Sequence, residues 1–162
     1  SNTKMAYETL LNHVPIPKNH IFAMYSESVS PEEHAVQYEA DIKAVVGTDG
    51  AFDLILLGMG DDGHTASLFP HTAVLNEDKK WVDAYYLEPQ SMYRITLTAP
   101  LINKAKNIAV LTFGEKKTDA LYEVLEGARN IQEYPSQLLA PINGTLVFLT
   151  DRVAASRLKQ AK

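Results

Sequence analysis

His64 sits two residues after Asp62 in the run Gly58-Met59-Gly60-Asp61-Asp62-Gly63-His64. A histidine with a carboxylate close by in the chain is a general-base arrangement. The imidazole exchanges a proton near neutral pH, and the carboxylate orients it and stabilises its charged form. The three glycines allow a sharp turn and a close backbone approach to a ligand, and their N–H groups are candidate oxyanion donors. Asp62 has a simpler competing role as an Asx-turn residue. His13, His20, His34 and His71 are scattered without metal-ligand spacing, and each reads first as a bystander, with His71, after Pro70, a lesser candidate for the rim of a site built on His64. No P-loop, dinucleotide fingerprint or G-x-S-x-G elbow occurs.

The elements that must position these residues follow from the apolar pattern. Phe52 to Leu57 is a continuous apolar run, which predicts a strand covered on both faces and ending at the glycines. Ligands of open α/β sheets bind beyond the carboxyl ends of such strands. Ser30-Pro31-Glu32-Glu33 predicts a helix start, with Ala35, Tyr38, Ile42 and Val45 on one face up to about Val46. Strands are expected at 20–24, 81–87, 93–98, 107–113 and 145–149. Helices are expected over 3–11 and 100–105, from Gly114 to about Leu125, and after a capping Asp151. One helical turn is expected over 65–68. The alternation predicts an α/β fold: three layers, a mostly parallel sheet and helices on both faces.

The 162 residues fit one ordinary domain, 1–162. Net charge is −5 with 15 Lys plus Arg, which leaves no basic footprint for nucleic acid or an anionic membrane. With no Cys, a thiol nucleophile, a disulfide and a thiolate metal site are excluded. No run approaches the ~20 apolar residues of a membrane helix. A cytoplasmic enzyme or binding protein is the expectation.

The segment GMGDDGHTASLFP resembles the signature of the 6-phosphogluconolactonases, in the sugar-phosphate isomerase/lactonase superfamily that includes glucosamine-6-phosphate deaminase. Further segments agree in order. Ser1-Asn2 with Met5 and Leu10-Leu11 resembles the family's SN…LL stretch. Arg94-Ile95-Thr96-Leu97-Thr98 resembles its RITLT strand. Gly114-Glu115-Lys116-Lys117 with Ala120-Leu121 resembles its G-x-x-K-A-x-x-L segment. Gly144 to Asp151 with Ala154-Ala155 resembles its closing segment, with Phe148 where Trp is usual.

The resemblance implies a Rossmann-like sugar-phosphate isomerase/lactonase fold, present in part. These residues would be the C-terminal two-thirds of a longer domain, and an upstream segment with a Gly-rich loop and an Asp-Glu-Arg loop would complete the site. It implies hydrolysis of 6-phospho-D-glucono-1,5-lactone in the oxidative pentose phosphate pathway, with no cofactor or metal. His64 would be the base and Asp62 its orienting acid. Arg94 and Lys117 would hold phosphate, and Gly58, Gly60 and Gly63 would line the substrate. Two alternatives remain: a glucosamine-6-phosphate deaminase, or a non-catalytic sugar-phosphate binding module. Deaminases continue after the histidine toward a Phe-Asn-Glu-Pro segment with another carboxylate. Here Ala66-Ser67-Leu68-Phe69-Pro70 follows.

Overall fold

The computed structural model describes residues 2–24 and 29–159. Ser1, which opens the SN stretch, lies outside them. An α-helix (α1, Asn2–Ala6) runs into a wider π turn, Tyr7–Leu11. Pro15 and Pro17 then end regular structure. The strand expected at 20–24 does not form. Lys18–His20 is a 3-10 turn, and Ile21 is extended with no ladder partner among the described residues. An apolar run without a neighbour to pair with cannot become a strand.

The next helix (α2, Pro31–Val45) begins with the expected capping box. The Glu33 N–H donates to Ser30 Oγ at 3.2 Å, and the Ser30 N–H donates to Glu33 Oε2 at 3.2 Å. Ala35 and Ile42 are buried and Tyr38 is half-buried, but Val45 is exposed. The buried stripe ends one turn earlier than expected because it packs on a short partner. That partner is the hairpin of β2 (Val82–Leu87) and β3 (Met92–Leu97), with Trp81 and Leu101.

Glu39 ties α2 to that hairpin. Its carboxylate accepts the Trp81 N–H at 2.8 Å and the Val82 N–H at 3.2 Å, and pairs with Lys43 at 2.6 Å. Burial opposes the charged form, but the Lys43 bond and the two N–H donors outweigh it, so the carboxyl titrates below its ordinary value.

A parallel three-stranded sheet carries the main core, in the order β1 (Ile55–Gly58), β4 (Asn107–Thr112), β5 (Thr145–Thr150). Ile55 pairs with Ile108 and Gly58 with Leu111, so β1 and β4 end side by side. Ile55, Ile108 and Val110 pack with two helices, α3 (Ala99–Ile102) and α4 (Thr118–Leu125), through Ile102, Ala120 and Leu121. Each such fully buried aliphatic side chain contributes about 1.5–3 kcal/mol.

The fold is α/β, a parallel sheet flanked by helices. The expectation that β1 is covered on both faces is not met. Leu56 is 65% exposed, and Leu54, Leu111, Val147 and Leu149 are exposed with it. Alternate residues of a strand face opposite ways, and the helices α3 and α4 share the core of the Ile55 face. After β5, residues 152–157 form turns in place of the expected helix. Asp151 still caps them, its Oδ1 accepting the Ala154 N–H at 2.8 Å.

Candidate active site

β1 stops at Gly58, and the chain turns back on itself at once. Thr65 bridges to both Met59 and Leu68, so 65–68 is a tight double turn, not the expected helical one. Ala66 carries the strain, with φ of 49°, a left-handed conformation that costs a non-glycine residue about 1 kcal/mol or more. The Thr65 hydroxyl donates to Gly58 O at 2.8 Å, closing the neck of the loop.

The turn brings Asp62 and His64 into direct contact. His64 Nδ1 lies 2.6 Å from Asp62 Oδ1, and the same oxygen accepts the His64 N–H at 3.1 Å. Asp62 therefore makes the Asx-type bond and orients the imidazole at once. With Nδ1 bonded to a carboxylate, Nδ1 carries the proton in the neutral ring and Nε2 is left as the acceptor. No residue among those described bonds to Nε2. This is the order of groups that a base needs: orienting acid, imidazole, open nitrogen.

Gly60 is what makes room for the pair. A Cβ there would land on His64 Nδ1 and Asp62 Oδ1. The Gly60 N–H donates to His64 O at 2.8 Å and the Gly63 N–H to Gly60 O at 3.2 Å, so both are committed within the loop. Gly63 has φ of 77°, and a Cβ on it would meet Tyr134 at 3.0 Å. The segment bearing Tyr134 braces the loop from outside. The Ser136 N–H donates to Gly63 O at 2.9 Å, and the His71 N–H to Gln132 O at 3.1 Å. His71 also pairs with Glu133 at 3.0 Å, which puts it at the rim as a link to this brace.

The hairpin grips the loop from another side. Arg94 and Thr96 share one face of β3 by strand alternation, and Tyr85 is the cross-strand partner of Arg94. Thr96 Oγ1 accepts the Ser67 N–H at 3.1 Å, and the Tyr85 hydroxyl donates to Ser67 O at 2.6 Å. Burial pushes the Tyr85 phenol above its ordinary value, which keeps it a donor. Arg94 reaches the same turn: its guanidinium carbon lies 5.6 Å from the centre of the Phe69 ring, and its Nη2 donates to Gln90 Oε1.

Lys117 stands on the neighbouring loop, after β4. Gly114 has φ of 90°, and its N–H donates to Asp151 Oδ2 at 3.0 Å. That N–H is therefore committed to Asp151 in this conformation. The Lys117 side chain is half-buried, and no hydrogen bond or ion pair to its ammonium occurs among the described residues. Because β1 and β4 end in register, both loops open at the same edge of the sheet.

The structure thus unites His64, Asp62, Gly60 and Gly63, connects Arg94 to them through Phe69, and puts Lys117 on the adjacent loop. Phe69, Gln90 and Tyr134 were not singled out in the sequence. Phe69 alone had a signal, since it lies inside the motif. Among the described residues no group of three or more His, Asp or Glu side chains could hold a metal ion, and no helix is long and apolar enough to cross a membrane.

The structure is an α/β sheet with an Asp–His pair at its carboxyl edge, and comparison with known proteins shows its family. Residues 1–148 match the family described as glucosamine-6-phosphate isomerases/6-phosphogluconolactonase. The chain is 39% identical to a 6-phosphogluconolactonase of Synechocystis sp., covering 98% of this chain and 67% of that protein. It is 37% identical to the chloroplastic 6-phosphogluconolactonase 3 of Arabidopsis thaliana, covering 98% of this chain and 51% of that one. The solved 6-phosphogluconolactonase of Trypanosoma brucei superposes with a TM-score of 0.81 at 29% identity, over 98% of this chain and 68% of that chain. The chain belongs to the glucosamine-6-phosphate isomerase/6-phosphogluconolactonase family. It spans between 51% and 67% of the length of these two curated relatives.

Proposed function

We propose that this protein hydrolyses 6-phospho-D-glucono-1,5-lactone to 6-phosphogluconate. The observation that carries the reading is the 2.6 Å bond between His64 Nδ1 and Asp62 Oδ1, which leaves Nε2 open at the carboxyl edge of the sheet. Nε2 takes a proton from a water molecule as the water oxygen bonds to the lactone carbonyl carbon. The tetrahedral intermediate then breaks its bond to the ring oxygen, which receives the proton back from Nε2. Asp62 holds the imidazole orientation and balances its transient charge. Arg94 and Lys117 bind the phosphate at the other end of the substrate, and the turn formed by Gly58, Gly60 and Gly63 shapes the carbonyl end. A lactone is an activated ester, so this chemistry needs a base and electrostatic stabilisation and calls for no metal or cofactor.

The names of the relatives support the same substrate. Deamination of glucosamine-6-phosphate moves protons between carbons and calls for a further acid or base after the histidine. Residues 65–70 offer no carboxylate. The test is a panel of three substrates with spontaneous hydrolysis subtracted: 6-phosphogluconolactone, unphosphorylated gluconolactone and glucosamine-6-phosphate. Fast turnover of the first, slow turnover of the second and none of the third is expected. Turnover of glucosamine-6-phosphate with none of the lactone would overturn the reading.

A further inference from the structure

Phe69 makes two ring contacts that serve no obvious packing purpose. Its ring stacks on the His64 imidazole, with centroids 4.1 Å apart and planes 25° from parallel. The Arg94 guanidinium lies against the same ring. The side chain is only partly buried, so it is not a core residue. Its backbone is fixed independently of the ring: Phe69 O accepts the Thr72 hydroxyl at 2.6 Å, and the preceding Leu68 is fully buried.

We propose that Phe69 is a positioning residue, a platform whose ring sets the His64 imidazole and the Arg94 guanidinium at a fixed spacing. The inference rests on the lactonase reading for its chemical meaning, though not for its geometry. Asp62 fixes one edge of the imidazole but leaves the ring free to swing about that bond. A stacked ring removes that freedom and shields one face from water, so Nε2 keeps one direction. Arg94 is held by Gln90 at Nη2, while its buried Nε has no partner among the described residues. The Phe69 ring supplies the remaining support for the guanidinium, through an attraction between cation and ring face. A base and an anion-binding cation that share one support move together. The platform therefore selects substrates whose phosphate lies at one distance from the carbonyl. Misplacing a reacting group by about 1 Å can cost about 10²-fold in rate.

The experiment compares Phe69→Leu and Phe69→Tyr with the unsubstituted protein in two readouts that need no turnover. The first is NMR of the His64 ring: its carbon-bound protons should show an upfield ring-current shift, with the Nδ1-protonated tautomer dominant. The second is affinity for inorganic phosphate. Phe69→Leu is expected to abolish the ring-current shift and weaken phosphate binding while Asp62 keeps the Nδ1-protonated tautomer, and Phe69→Tyr restores the shift and the affinity. In the lactone assay the Leu variant is expected to lose about 10²-fold in kcat/KM, with kcat falling and KM rising together. If Phe69→Leu does not fold, Phe69→Met removes the ring at similar volume and carries the same expectation. A Leu or Met variant with wild-type His64 signals or wild-type phosphate affinity would overturn the platform, as would a Tyr variant that restores neither. Expected NMR and phosphate results without any lactone hydrolysis by the unsubstituted protein would support the platform and overturn the lactonase reading.

Discussion

The two loops at the carboxyl edge of the sheet are built on opposite plans. The loop after β1 is packed against its surroundings. Gly60 has no space for a Cβ, Gly63 lies against Tyr134, and Thr96, Tyr85 and Ser136 hold its backbone by hydrogen bonds. The loop after β4 is open. Gly114 has the same kind of positive φ, yet a Cβ there would meet nothing within 4 Å, and the Lys117 ammonium has no partner among the described residues. A base must be aimed before the substrate arrives, since an error in direction costs rate directly. A cation that grips a phosphate needs reach and room, since its task is binding and its geometry is that of a point charge. Under the proposed function, the contrast fits chemistry on one loop and affinity on the other.

That division can be broken at several points. The largest effect is expected from His64→Asn, a fall of about 10²–10⁴ in kcat with unchanged thermal stability, read from initial rates and a melting curve. Next is Gly60→Ala, which should displace the Asp–His pair and cost about 10²-fold in kcat while leaving phosphate affinity intact. Lys117→Ala should act on KM instead. Losing a hydrogen bond to a charged group of about 1.5–3 kcal/mol implies a rise of roughly ten- to a hundredfold for the phosphorylated lactone. The unphosphorylated lactone should show no such rise, and an equal rise for both would remove the phosphate role. Gly114→Ala sharpens the comparison, because the residue is strained but not crowded. It should cost about 1–3 kcal/mol of stability in chemical denaturation, with kcat retained.

The smallest effect lies outside both loops. The folded-state pKa of Glu39 is lowered, so its contribution to stability is present above the ordinary value of 4.5 and is lost as the pH falls through the folded value. Glu39→Gln should flatten the acid side of a melting temperature against pH profile and leave turnover at neutral pH unchanged.

Much of this was legible in the residues. The strand–glycine–histidine order of 52–64 carried the placement of His64, because an apolar strand that ends in glycines leads to the ligand edge of a sheet. The capping box at Ser30 and the strands near 81–87 and 93–98 were local signals, and local signals survive folding. The Phe69 platform was not legible, since it joins 64, 69 and 94, and sequence spacing says nothing about contacts made through a separate hairpin. The Tyr134 brace was hidden for the same reason. The two misread strand features share a cause. At 20–24 and on the Leu56 face, an apolar run reports a capacity for burial, while the partner that would bury it is a tertiary fact.

The most direct measurement is the rate of 6-phosphogluconolactone hydrolysis, coupled to 6-phosphogluconate dehydrogenase, by the protein, His64→Asn and Asp62→Asn side by side. The account predicts strong catalysis by the unsubstituted protein, almost none by His64→Asn and an intermediate rate for Asp62→Asn, with all three equally folded. Near wild-type turnover by a folded His64→Asn variant would contradict it.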